Sequence, residues 1–318
     1  IEIIIDGVFG SHRFLSSIFP TIFYNFLIGT FEILALLVLL ACVVFLVRRN
    51  ILKIKRFWTK EMTSWPKTDA NLILIFEILL MIAFLTMNAS DSILQSSPSF
   101  KDHYCQAGYF PISQLIVPFI DTITLINLQF IERFCWWFHI IGILSFLNYV
   151  LISKHLHIFF AFPSTYFAKL DSLGGLDNLE SVTKEVKNMI DPNVDSYAAS
   201  DNILSNEPFG AKDVTHLNWV QLLNSYSCTE CGRCTSNCPA NQTGKVLSPR
   251  KIMMDARDRI DEIGHNINAN GGEFKPDGKS LVGSYISEEE LWACTSCQAC
   301  VETCPINISP MGIILNMR

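Results

Sequence analysis

Eight cysteines in the C-terminal third form two copies of one pattern: Cys228, Cys231, Cys234 and Cys238 before Pro239, and Cys294, Cys297, Cys300 and Cys304 before Pro305. The spacing C-x2-C-x2-C-x3-C-P holds paired [4Fe–4S] clusters, with the fourth cysteine of each run ligating the other cluster. Three thiolates so spaced curl around one cubane face, and the Cys-Pro step turns the chain towards the neighbouring cluster. Cluster 1 is expected to use Cys228, Cys231, Cys234 and Cys304; cluster 2, Cys294, Cys297, Cys300 and Cys238. Structural zinc is the plain alternative, but it asks for two spaced pairs per metal and no proline. The pattern implies electron transfer.

The remaining composition says where such clusters would sit. Half of the 318 residues are hydrophobic and 17% are charged, an apolar balance for a soluble protein. Most of the apolar weight precedes about residue 165. From residue 158 onward there are 13 Lys or Arg against 20 Asp or Glu, a net of −7. That acidity argues against a nucleic-acid partner. Cys42, Cys105 and Cys135 are scattered and suggest no disulfide framework. Eight iron-binding thiolates favour a reducing compartment, the cytosolic side.

Three segments are long and apolar enough to span a bilayer: Thr21 to Val47, Ala70 to Asn88 and Ile131 to Ile152. A fourth stretch, Pro111 to Phe130, is interrupted by Pro118, Asp121 and Asn127 and reads as an interfacial or re-entrant helix. Residues 48–69 carry Arg48, Arg49, Lys53, Lys55, Arg56, Lys60 and Lys67, whereas residues 91–130 carry only Lys101. The positive-inside rule places the first loop in the cytoplasm and the second outside. The iron–sulfur half then falls on the cytoplasmic side of an inner, multi-pass membrane protein. Ile1 to Val8 reads as the last turns of a helix, so the native chain is expected to extend upstream with at least one more span.

His139 lies in the third span after Trp136-Trp137-Phe138, with His155 and His157 beyond it. Eighteen helical residues cover about 27 Å, so one helix could offer an imidazole near each membrane face. Stacked bis-His b haems need that arrangement; a hydrogen-bonded core histidine is the plainer reading. Only His12 is available to pair with His139. Glu32 and Glu77 fall inside the first two spans, where a carboxylate marks either a proton path to a quinone or a hydrogen-bonded bundle contact.

The expected architecture is all-α: a transmembrane helix bundle over residues 1–165, a linker over 166–213 and an α-helical two-cluster ferredoxin domain over 214–318. Glu180 to Ile190 has helical spacing, and Asp191 to Gly210 reads as a polar tether. Ser248-Pro249 opens a helix to about Ile263, and Ser287-x-x-Glu290 is a capping box for a short helix reaching Cys294. Arg233, Lys245, Arg250 and Lys251 are candidates to offset cluster charge.

These residues resemble a known family. Ser227-Cys228-Thr229-Glu230-Cys231-Gly232-Arg233-Cys234, Cys238-Pro239-Ala240 and Leu247-Ser248-Pro249-Arg250-Lys251 are similar to the iron–sulfur part of heterodisulfide-reductase-like oxidoreductases. Ser153-Lys154-His155-Leu156-His157-Ile158 with Phe162-Pro163 resembles the junction where such a module joins a membrane domain. That domain is similar to the gamma subunit of respiratory nitrate reductase, a quinol-oxidising di-haem b protein. The resemblance implies up to two b haems, with His139 as the outer ligand, His12 as its candidate partner, and His155 or His157 as the inner one. The second inner ligand would lie upstream of Ile1.

One feature departs from the family. No Cys-Cys pair is present, so the CCG domain that carries substrate chemistry belongs to a lost C-terminus or to a separate subunit. The expected function is a membrane-bound electron-transfer subunit linking quinone, b haems and two clusters to a cytoplasmic redox partner, such as a CCG-domain iron–sulfur protein. The alternative is a membrane scaffold, redox sensor or assembly protein with structural clusters and no haem.

Overall fold

A computed structural model describes residues 2–100, 103, 104, 106–170, 174–176, 178–190 and 209–318. Lys101, Cys105 and the tether from Asp191 to residue 208 lie outside the described residues. The described chain is helical, with no strand and one isolated bridge, Val282 to Ile286. It forms two compact units: residues 1–58 with 62–153, and residues 59–61 with 154–318.

The first unit is built on three helices long and apolar enough to cross a membrane. Thr21–Leu46 continues as a wider turn over Val47–Ile51; Trp65–Ser96 and Leu125–Val150 follow. At 1.5 Å per residue each exceeds the roughly 30 Å of a hydrocarbon core. Their outward faces are apolar: Phe26, Leu37, Ile82, Phe134 and Leu147 are all exposed. Side chains of that kind need lipid rather than water around them. The middle helix packs against both others. Gly142 makes one approach possible, since a Cβ there would lie 2.7 Å from Leu80 Cδ2. Residues 2–9 form a short helix that closes at Gly10, whose φ of 64° suits glycine.

Two expectations change here. The stretch from Pro111 to Phe130 is not one interfacial helix. It breaks into Ser113–Leu115 and Val117–Ile120, turns, and enters the third span at Leu125. The reason is local: the backbone N–H groups of Ile112 and Ser113 donate to the Glu32 carboxylate instead of to a helix, and Thr124 opens the span from an extended conformation. The third span also ends at Val150, so His139 and His155 or His157 do not share one helix. Ser153 N–H closes a turn on the Val150 carbonyl, Lys154–Leu156 forms a separate turn, and a new helix starts at His157. That helix runs through Pro163 to Tyr166.

The second unit wraps short helices around Pro249–Ala269, the longest helix of its cluster-bearing part. Ser248 Oγ accepts from Lys251 N–H at its start, and Gly271 and Gly272, both at positive φ, follow its end. It therefore runs past Ile263. Its inner face, Ile252, Met253, Ala256 and Ile263, meets Leu247, Leu281, Ile286, Leu291, Ile313 and Ile314 in one core. Arg259 is fully buried on the same helix, with Asp213 at 2.8 Å and Asp277 at 2.6 Å compensating its charge. The capping box at Ser287 forms as read: Ser287 Oγ accepts from Glu290 N–H, and Ser287 N–H donates to the Glu290 carboxylate. Glu180–Ile190 is a helix.

Candidate iron–sulfur centre

Both cysteine loops have the same local backbone. The residues two and four places after the first cysteine adopt left-handed φ in each: Glu230 (56°) and Gly232 (73°), then Ser296 (55°) and Gln298 (59°). A short helix follows, Arg233–Ser236 in one loop and Ala299–Glu302 in the other. Left-handed residues set between right-handed ones turn amide N–H groups into an anion-binding concavity, the nest found at many iron–sulfur sites. Ser296 N–H donates to Cys294 Sγ at 3.4 Å. The sequence repeat is thus a structural repeat.

Cys228, Cys231, Cys234, Cys300 and Cys304 line one cavity of about 180 Å³, with Met253, Ile306 and Ile308 as apolar walls. That volume is about six waters' worth. Burial pushes the Cys228 and Cys234 thiols up to about 12, and in Cys234 the neighbouring Cys231 and Cys300 add to it. Burial likewise raises Cys300 to about 12, with Cys294, Cys238 and Cys297 contributing. Crowded, buried thiols cannot all ionise alone; bound iron supplies the charge that makes them thiolates. Among the described residues, no three His, Cys, Asp or Glu side chains converge on a single ion.

Arg233 and Arg250 line the first cavity, and Arg250 is fully buried. The Arg250 guanidinium donates to Glu61 at 2.7 Å and to Thr59. Lys251 does not face the clusters: its ammonium bonds Asp255 at 2.7 Å and Glu290 at 3.0 Å. Sequence reasoning missed the charges that flank the first loop. Glu230 is 2% exposed and pairs with Lys154 and Arg257, each at 2.8 Å. Burial alone would raise its carboxyl; the two cations hold it below the usual carboxylate range. The one signal was a carboxylate lodged between two ligands of a motif that must be buried.

The histidines scatter. His157 lines the first cysteine cavity, its Nδ1–H donating to the Lys154 carbonyl at 2.7 Å. His155 packs edge-on against it. His139 is buried in the first unit against Phe84, and its Nδ1 has no partner among the described residues. His12 Nε2 bonds Asp91 at 3.0 Å and its ring meets Tyr104; no described contact joins it to His139. Arg13 links Asp91 to Asn88, and Asn88 donates to Glu32 at 2.9 Å. Glu32 also accepts from the Ile112 and Ser113 amides and the Ser113 hydroxyl, so it is fully engaged. Glu77 is half-buried, with no hydrogen bond among the described residues.

Helices fit to cross a membrane, together with a two-cradle cysteine domain, define a class: the membrane-associated iron–sulfur electron-transfer proteins. The 4Fe-4S dicluster domain family matches residues 227–308. The chain is 29% identical over 277 residues to the probable iron-sulfur-binding oxidoreductase FadF of Bacillus subtilis, covering 78% of this chain and 36% of that one. It is 27% identical over 334 residues to the EtfAB:quinone oxidoreductase of Syntrophomonas wolfei, covering 98% of this chain and 43% of the relative. Over 97 residues it is 32% identical to one of the subunits of the ferredoxin:CoB-CoM heterodisulfide reductase of Methanosarcina mazei, covering 30% and 45%. No solved structure matches the chain at a significant level. The chain spans less than half the length of these relatives. The chain is thus similar to heterodisulfide-reductase-like membrane iron–sulfur oxidoreductases, and its C-terminal part carries a 4Fe-4S dicluster domain.

Proposed function

We propose that this chain is a multi-pass electron-transfer subunit that carries electrons between a quinone in the bilayer and a cytoplasmic redox partner through two [4Fe–4S] clusters. Cluster 1 is held by Cys228, Cys231, Cys234 and Cys304, and cluster 2 by Cys294, Cys297, Cys300 and Cys238. The observation that carries the reading is the shared cavity of Cys304 with the first three motif cysteines. The quinone rests on the relative named as an EtfAB:quinone oxidoreductase, aligned over 98% of this chain. By the same likeness the soluble partner is of the EtfAB or heterodisulfide-reductase kind.

Haem b belongs to the same proposal, with His139 as the axial ligand inside the bundle. A buried imidazole whose Nδ1 lacks a described partner has the chemistry of a metal-binding ring. When bound, the haem supplies one-electron steps within the bilayer. The chain's own part is to seat the ring and exclude water. His12, engaged by Asp91, is the weaker ligand.

The test is iron and acid-labile sulfide on the purified full chain, with haem extraction and a pyridine spectrum alongside. Eight irons per chain beyond the haem iron support the clusters; one zinc per motif would refute them.

A further inference from the structure

Resting on the cluster assignment above, we propose that the buried triad Lys154–Glu230–Arg257 is a positioning and tuning device that sets the reduction potential of cluster 1, leaving cluster 2 untouched.

The two cysteine loops supply their own control. They share backbone conformation, with the residue two places after the first cysteine at left-handed φ in each. They differ in what that residue carries: Ser296 in the second loop, a carboxylate, Glu230, in the first. Glu230 is 2% exposed, and its two oxygens go to different segments. Oε2 accepts from Lys154 Nζ and Oε1 from Arg257 Nη1, both at 2.8 Å. Lys154 belongs to the turn just before the helix His157–Tyr166; Arg257 lies on Pro249–Ala269. The cation side chains are 10% and 18% exposed, so water screens them little. Arg257 also meets Asp258, a carboxylate 56% exposed and correspondingly screened.

Lys154 does a second job. Its carbonyl accepts from His157 Nδ1–H, and His157 lines the cavity shared by Cys228, Cys231, Cys234 and Cys304. One turn of chain therefore fixes both the carboxylate within the ligand loop and an imidazole at the cavity wall.

Reduction adds one negative charge to a cluster. A nearby cation stabilises the reduced form and a nearby anion opposes it, an effect strengthened by low dielectric. Removing Glu230's charge therefore raises the cluster 1 potential, and removing that of Lys154 or Arg257 lowers it. A purely structural triad has no such sign rule.

The test is an EPR-monitored redox titration of the full chain in detergent, with Glu230→Gln, Lys154→Met, Arg257→Gln, the double variant Lys154→Met/Glu230→Gln, and Lys154→Arg as the conservative control. At fixed ambient potential, Glu230→Gln is expected to raise the reduced-to-oxidised ratio of one cluster about tenfold, a shift of about 59 mV for one electron. Lys154→Met and Arg257→Gln shift the same wave the other way, the double variant returns towards wild type, and Lys154→Arg stays there. The second wave does not move in any of them. Shifts of one sign in all variants, or none with iron content intact, overturn the proposal. If Glu230→Gln loses iron, the downward shifts of the two cation variants decide. Absence of any [4Fe–4S] signal in the wild type would instead refute the cluster assignment itself.

Discussion

Cys304, from the second motif, lines the same cavity as Cys228, from the first. Neither run of cysteines lines that cavity alone, and both motifs meet in one core that contains Cys238 and against which Cys228, Cys294 and Cys304 pack. Replacement by serine should therefore sort across the motifs. Cys304→Ser is expected to lose the EPR signal that Cys231→Ser loses, and Cys238→Ser the one that Cys297→Ser loses. Pairing within each motif would contradict the arrangement.

Arg259 tests the scaffold behind the clusters. Its guanidinium is fully buried and bonds three carboxylates, Asp213, Asp277 and Glu262, and the Lys279 carbonyl. Arg259→Met leaves Asp213 with an uncompensated charge, at a cost of about 3 kcal/mol. Denaturant unfolding followed by cluster bleaching should show the midpoint fall. An unchanged midpoint would mean that the aspartates find other partners.

Asp255 gives a pH signature. Burial pushes its carboxyl up to about 6 despite Lys251, which it shares with Glu290. Between about pH 4 and 6 the folded state then binds more protons than the unfolded one, and this group's contribution to stability falls as pH rises. Asp255→Asn removes that slope. The melting temperature of the variant, measured against wild type, should improve from pH 4 to pH 6 and level off above. A difference that stays flat with pH would remove the effect.

The two carboxylates of the first unit should behave differently. Glu32 accepts from Asn88, Ile112 and Ser113, and Glu32→Gln strands at least one of these donors at about 1–3 kcal/mol. Its melting point in detergent should drop. Glu77 has no hydrogen bond to lose among the described residues. Glu77→Gln should melt like wild type while slowing quinol-driven cluster reduction several-fold, the result expected of a proton carrier. Equal rates would remove Glu77 from any proton path.

Much of this was legible in the residues because it is local. Hydropathy located the three helices long and apolar enough to cross a membrane, and Ser248-Pro249 and Ser287-x-x-Glu290 marked helix starts through bonds made within one turn. Other features arise from partners distant in sequence. Pro111 to Phe130 looked like a helix until Glu32, from another span, took its amide groups. Lys154, Glu230 and Arg257 lie in three separate segments, and no periodicity announces a buried ion triad. His157 looked like a haem ligand by its distance from His139, but the helix that would carry both ends at Val150.

The most direct test of the central claim is a reduced-minus-oxidised measurement on the purified full chain, optical and EPR together, with a quinol analogue as the only reductant. The account expects quinol to elicit sharp b-type haem bands and to reduce at least one [4Fe–4S] cluster. Clusters that respond to dithionite but not to quinol, with no haem bands, would contradict it and leave a membrane scaffold carrying structural clusters.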